Sequence, residues 1–299
     1  MMVDKLTSLT RANARELLAA FKLDRLGPFQ PLADWLASFP ARRLSCQLLR
    51  FDDLVGQHGL AAAGRYILDE FTSSTHIAGQ RHVPQCGPVL AVANHPGMVD
   101  TMALCVALES RPDLKIIASD RGILELIPNL RSRLLFVNPR TESRSGLLRE
   151  AANHLRQGGA LLTFPAGTIE PDPSVRAVGT LAGWSDSSEL LVRLAPETIV
   201  LPIAVSGVIS RTARRHRMAR RFADPKEREW AAATLQVLFR HLRDTQTRVL
   251  IGEPISSGQF SQPAAIRAAM ASLLARVSNP LDKDLTTSNQ VYHELATKM

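Results

Sequence analysis

The apolar positions follow two different spacings along the chain. In residues 1–80 the spacing is helical: Leu6, Ala14, Leu17 and Phe21 fall on one side of a helical wheel, with Lys5, Arg11, Arg15 and Lys22 elsewhere. Asn13 lies within that stripe and interrupts it. Pro28, Pro31 and Pro40 break the following segment into short pieces before a longer helical stretch from about Leu44 to Phe71. The amphipathic face either docks on the rest of the chain or lies on a lipid surface. From Val83 onward, short apolar runs alternate with helix-like stretches, the texture of βα units. The pattern predicts strands at 88–94, 114–118, 133–137, 159–164, 198–205 and 247–251. Helices are predicted at 98–109, 121–128, 143–156, 187–195, 226–243 and 263–277. The reading is an α/β protein with a mainly parallel central sheet flanked by helices. It comprises a helical N-terminal region (1–80), an α/β domain (81–280) and a polar C-terminal tail (281–299).

Composition narrows the class. With 45% hydrophobic and 21% charged residues and a mean hydropathy of −0.02, the 299-residue chain is neither disordered nor fibrous. Three cysteines, Cys46, Cys86 and Cys105, are too few and too scattered for a disulfide framework or a Cys-rich zinc site, which points to a reducing compartment. The first residues carry charges throughout and no apolar core of a signal peptide. Apolar runs such as Met102 to Leu108 and Ile199 to Val205 stop far short of the roughly 18 residues that a spanning helix requires. The expectation is a cytoplasmic protein, peripheral on the inner face of the membrane. A net charge of +8 and a pI near 10.0 favour anionic partners: phospholipid headgroups, phosphorylated co-substrates or nucleic acid.

Candidate chemistry concentrates at one turn. Val89 to Ala93 reads as a buried strand, followed by Asn94-His95-Pro96-Gly97-Met98-Val99-Asp100. A histidine at a strand's carboxyl end and a carboxylate in the next helix's first turn can meet, with Asp100 accepting a hydrogen bond from one imidazole nitrogen. The other nitrogen is then free to act as a base. The alternative is that Asp100 merely complements a helix dipole and His95 is a loop residue. Two further loops follow strand ends, Asn138-Pro139-Arg140 and Phe164-Pro165-Ala166-Gly167-Thr168. Ligands of open parallel sheets bind at that edge.

Over residues 85–255 the chain resembles the glycerolipid acyltransferases, including the lysophosphatidate acyltransferases. Asn94, His95 and Asp100 match the family's N-H-x4-D motif. Phe136-Val137-Asn138-Pro139-Arg140 is similar to its second block, with Arg144 competing for the arginine's place. Phe164 to Thr168 is similar to F-P-E-G-T, and Val200-Leu201-Pro202-Ile203 to the fourth block. Ile251-Gly252-Glu253-Pro254-Ile255 matches a late strand end. Two departures stand out: Ala166 replaces the third-block glutamate and Ile169 a following basic residue, with Glu170 near enough to supply a carboxylate.

The resemblance implies acyl transfer from an acyl thioester, acyl-CoA or acyl-carrier protein, to a hydroxyl of a lysophospholipid or glycerol-phosphate-like acceptor in phospholipid biosynthesis. His95 and Asp100 would be the general-base pair, and backbone N–H groups at Gly97 and Met98 the oxyanion donors. Asn94, Arg140, Phe164, Pro165, Gly167, Thr168 and Glu170 would contact substrate. No bound cofactor and no metal is implied; an anionic membrane surface is the further expected partner.

Rival classes find less support. Arg211 to Arg221 holds six arginines in eleven residues, yet no nucleic-acid module or stacking aromatics accompany it, so nucleic acid is not an expected partner. There is no G-x-S-x-G nucleophile elbow and no HExxH motif. A non-catalytic lipid-binding relative, altered at Ala166, stays open at this point.

Overall fold

The computed structural model describes residues 2–137, 144–176, 181–256 and 264–279. In chain order the elements are α1 (Met2–Ala20), α2 (Gln30–Phe71), β1 (Ser74–Ala78), β2 (Val89–Ala93), α3 (Asp100–Ala107), β3 (Lys115–Ser119), α4 (Pro128–Arg131), β4 (Leu134–Val137), α5 (Arg144–Arg156), β5 (Ala160–Thr163), α6 (Ser187–Leu194), β6 (Ile199–Ser206), α7 (Arg211–Arg215), α8 (Arg217–Arg220), α9 (Pro225–Leu238), β7 (Gln246–Ile251) and α10 (Ala264–Val277). The seven strands form one sheet in the order β1-β7-β6-β2-β5-β3-β4. Five run parallel, while β7 is antiparallel to β6 and carries β1 parallel beside it.

Each predicted strand from 88 onward is present within a residue or two of its expected ends. Three expectations fail: α2 runs from Gln30 straight through Pro40, where breaks were expected, the helix at 121–128 is absent, and β1 lies inside the stretch 1–80 expected to be wholly helical. Its short sequence Ser-Thr-His-Ile-Ala becomes a strand by pairing with β7, some 170 residues away in sequence, as the Ile77–Val249 register shows. The expected helix at 121–128 is instead a 3-10 turn, Gly122–Leu126, followed by the single turn of α4, because Pro128 closes the first piece and opens the second. The tail at 281–299 lies outside the described residues.

The central strands are apolar on both faces. Val89, Ala91 and Ala93 of β2 join one core layer with α2, α3 and α9, whereas Leu90 and Val92 join the other with α5, α6 and α10. Helices on both sides explain why these strands read as continuous apolar runs instead of alternating ones. The stripe of α1 docks: Ala14, Leu17 and Leu18 pack on Ala37 and Ala41 of α2. Asn13 interrupts it harmlessly, because its amide donates to Ser45 Oγ at 2.9 Å, and Ser45 donates to Ala41 O. Helix α2 holds a break at Gly59, φ 83° and ψ 176°, a conformation that a residue with a Cβ rarely adopts.

The order of connections reverses around β2: β5 flanks it on one side and β6 on the other, both parallel to it, with α3 on one face and α6 on the opposite one. The crevice at the carboxyl ends of β2 and β5 therefore sits at a topological switch point. A buried carboxylate ties that edge together. Asp172, fully enclosed, accepts backbone N–H groups from Ser174 and Gly207 on Oδ1 and from Val208 and Ile209 on Oδ2, at 2.7–2.9 Å. Asp172→Ala leaves four backbone donors unpaired, those of Val208 and Ile209 buried and costing ~1–3 kcal/mol each, so urea unfolding should show a loss of at least ~2 kcal/mol relative to wild type.

Candidate active site

The apolar strand β2 ends at Ala93, and the next residue keeps the ladder going with its side chain. Asn94 is fully buried; its Nδ2 donates to Val205 O at 2.9 Å, and its Oδ1 accepts Val205 N–H at 2.8 Å. Bonded to both backbone groups of one β6 residue, Asn94 pins the strand end instead of facing a substrate. The main chain is then released to turn away through Pro96 and two left-handed residues, Gly97 (φ 83°) and Met98 (φ 57°). A left-handed methionine is uncommon, and here the turn delivers Asp100 back toward His95.

Asp100 Oδ2 accepts from His95 Nδ1 at 2.7 Å and from the Gly97 N–H at 2.8 Å. Its Oδ1 accepts from the backbone and hydroxyl of Thr101. The Asp100 side chain is 2% exposed and that of His95 28%. With Nδ1 engaged, Nε2 is the nitrogen left to serve as a base or acid. Burial by itself pushes the His95 pKa down, but the hydrogen bond and charge of Asp100, with the charge of Glu170, outweigh it and Arg121, leaving the pKa above the ordinary imidazole value.

The Gly97 N–H, expected to be an oxyanion donor, is taken by Asp100, which removes it from that role. Among the described residues neither the Met98 nor the Val99 N–H makes a hydrogen bond, so these are the donors of this turn left for a developing charge.

The loop after β5 closes over the same turn. Phe164 stacks on the His95 ring, centroids 4.4 Å apart and planes at 30°. Pro165 is buried and accepts Ser185 N–H. Glu170 joins His95 twice: its N–H donates to His95 O at 2.7 Å and its Oε2 accepts His95 N–H at 2.9 Å, while Oε1 accepts Trp184 Nε1–H at 2.8 Å. Ala166 instead packs against the opposite core layer. The carboxylate that this loop brings to His95 is therefore that of Glu170, four positions after Ala166. Gly167 and Thr168 form the exposed loop tip, and Ile169, 59% exposed, lies beside Gly97. Arg140, with Asn138 and Pro139, lies outside the described residues, as does the side chain of Arg144.

Three contributors escaped the sequence reading. Arg121, just past the end of β3, places positive charge near His95. It carries the same signal as the other site residues, a polar group following a strand, but was absorbed into a predicted helix. Trp184 and Asp172 hold the loop through long-range hydrogen bonds that no local pattern announces. Among the described residues no group of three or more His, Cys, Asp or Glu side chains could hold a metal ion.

Residues 74–206, which contain the His95–Asp100 turn and the Phe164–Glu170 loop, match the family model described as Acyltransferase. The chain is similar to the crystal structure of the 1-acyl-sn-glycerophosphate (LPA) acyltransferase PlsC from Thermotoga maritima, with 17% identity over 91% of each chain and a TM-score of 0.44. No curated protein sequence matches it.

The carboxylates around His95 set a titration order. NMR titration of the imidazole should give a pKa above that of a free histidine side chain. Glu170→Gln should lower it and Asp100→Asn lower it further, because each removes negative charge that favours the imidazolium. An unchanged value in Asp100→Asn would refute the electrostatic assignment.

Proposed function

We propose that this chain, which carries an acyltransferase family segment at residues 74–206, moves a fatty acyl group from an acyl thioester to a hydroxyl of a glycerolipid-type acceptor. The observation that carries the reading is the His95 Nδ1–Asp100 hydrogen bond at the sheet's carboxyl edge, with Nε2 left for the acceptor hydroxyl. His95 removes the hydroxyl proton as the oxygen attacks the thioester carbonyl. Asp100 fixes the tautomer and stabilises the imidazolium that forms. The carbonyl oxygen's developing charge is met by the Met98 and Val99 N–H groups, and the thiol leaves with the proton returned by His95. No acyl-enzyme is needed.

A lysophospholipid or glycerol-phosphate-like acceptor fits this reading, and lysophosphatidate leads the candidates. Arg121 supplies a cation beside His95 for an acceptor phosphate, and Arg140 is a second basic candidate from the motif reading. Glu170, engaged with His95 and Trp184, acts by holding the histidine backbone, a positioning role distinct from direct contact with the acceptor. Acyl-CoA or acyl-carrier protein is the donor, and no resident cofactor takes part.

A membrane surface supplies the acceptor. No helix among the described residues is long and apolar enough to cross a membrane. The surface of α2 offers another mode: Phe29, Leu32, Trp35, Leu36 and Phe39 recur at helical spacing and are 55–70% exposed. Arg11, Arg15 and Arg42 line the adjoining cleft between α1 and α2 and suit anionic headgroups. The expected lipid-facing stripe thus passes from α1, which is docked, to the start of α2.

Incubation with lipid extracts and labelled acyl thioesters, read by mass spectrometry, tests the reaction class; no labelled lipid with any donor would sink it. His95→Ala should lower the rate ~10²–10⁴-fold without moving the melting temperature, and Asp100→Asn should be severely impaired. Because the base must be neutral, kcat/KM should rise with pH through the raised His95 pKa, a limb shifted to lower pH in Glu170→Gln.

Vesicle flotation checks the surface. Phosphatidylglycerol vesicles should bind better than phosphatidylcholine ones, and binding should weaken between ~0.1 M and ~1 M salt as the Debye length falls from about 10 Å to about 3 Å. Trp35→Ser with Phe39→Ser should reduce it on both; equal binding by the variant would exclude this face.

A further inference from the structure

The arginine-rich segment after β6 folds into a concave site. Arg211, Arg214 and Arg215 of α7, Arg220 of α8, Arg228 of α9 and Ser174 enclose a cavity of about 370 Å³. Nearby carboxylates are committed elsewhere. Asp172 is held by four backbone N–H groups, Asp224 caps α9, Glu227 pairs with Lys22, Glu229 with Arg176, and Asp244 accepts from Ser210 and Thr212. Among the described residues no ion pair reaches any of the five cavity arginines, and the buried Arg214 Nε has no hydrogen-bond partner. Arg228 is held in place by donating Nε and one terminal nitrogen to Phe222 O. Burial first, and then the charge of Arg211, lowers the pKa of Arg248, with the charge of Asp172 opposing them.

Five guanidiniums facing one space repel one another unless an anion sits between them, and their planar forks match phosphate oxygens. The cavity is joined to the reaction centre by one short stretch of chain. Ser174 follows Glu170, which bonds to His95, by four positions, at most ~14 Å even fully extended. A thioester donor with its reactive carbonyl at His95 carries its phosphates at the far end of a long flexible pantetheine arm. The prosthetic arm of a carrier protein and most lipid headgroups offer a single phosphate, whereas the nucleotide end of coenzyme A offers several. A concave volume of this size suits a small-molecule moiety instead of a flat bilayer.

We infer that the cavity of Arg211, Arg214, Arg215, Arg220 and Arg228 binds the phosphorylated nucleotide end of a coenzyme A thioester, which makes coenzyme A, not carrier protein, the donor's handle. The inference rests on the acyltransfer reading for the identity of the ligand, and its test is binding, which needs no turnover.

Isothermal titration of the full chain with coenzyme A, pantetheine, inorganic phosphate and phosphatidylglycerol vesicles separates the sources. Coenzyme A should bind, pantetheine should not, and phosphate should bind at least 10-fold more weakly than coenzyme A. Arg211→Gln with Arg215→Gln, both at exposed side chains, should weaken coenzyme A at least 10-fold with an unchanged melting temperature. Arg220→Gln alone should weaken it by a smaller factor. No binding to wild type, equal binding to the double variant, phosphate as tight as coenzyme A, or displacement by the vesicles would each overturn the assignment. Acyl transfer from acyl-CoA with a donor KM unchanged in the double variant would reject the cavity while leaving the reaction standing. Arginine-dependent binding of coenzyme A without any acyl transfer would support the cavity and remove the reaction.

Discussion

A carboxylate buried at the first turn of α3 organises the candidate site. Taking Asp100 out of water is expensive, and the fold offsets that cost by giving its oxygens the His95 ring, the Gly97 N–H and both donors of Thr101. Those bonds are compatible only with a chain that turns sharply, and the left-handed Gly97 and Met98 are the local consequence. One interaction therefore fixes the histidine's tautomer, shapes the turn and occupies a backbone donor that would otherwise point outward. The Met98 and Val99 N–H groups remain unclaimed in the same turn.

The second layer of organisation is the loop from Phe164 to Arg176, fixed by two acidic residues with separate tasks. Glu170 bonds to both backbone groups of His95 and to the Trp184 indole, so it faces the reaction centre. Asp172 binds the backbone that follows β6 and the N–H of Ser174, a residue that lines the arginine cavity. Ala166 packs on the opposite core layer, a contact that suits an apolar side chain, while Glu170 four residues later turns toward His95. The same short segment thus links the His95 turn to the arginine-lined cavity.

The sheet was legible because its central strands are buried on both faces, so Val89 to Ala93 and Ile199 to Ser206 announce themselves as apolar runs whatever their partners. The pairing of His95 with Asp100 was legible only in part: the spacing lets the two meet across a strand-turn-helix junction but equally fits a helix-dipole acid beside a loop histidine, and the N-H-x4-D resemblance favoured the pair. β1 was hidden because five mixed residues become a strand only when β7 supplies the hydrogen bonds. Glu170 carried a hint from its nearness to Phe164, yet its two bonds to His95 depend on β5 lying beside β2.

By itself, then, the sequence determined the alternation of strands and helices, the His95–Asp100 junction and the excess of arginine after β6. These follow from periodicity, turn chemistry and charge, which act over a few residues. Tertiary structure alone decided that Asn94 serves β6, that the Gly97 N–H is spent on Asp100, that the apolar stripe of α1 is covered while one at the start of α2 is bare, and that five arginines share one cavity. Each of these depends on which distant groups satisfy a hydrogen bond or exclude water, and no local pattern encodes that choice.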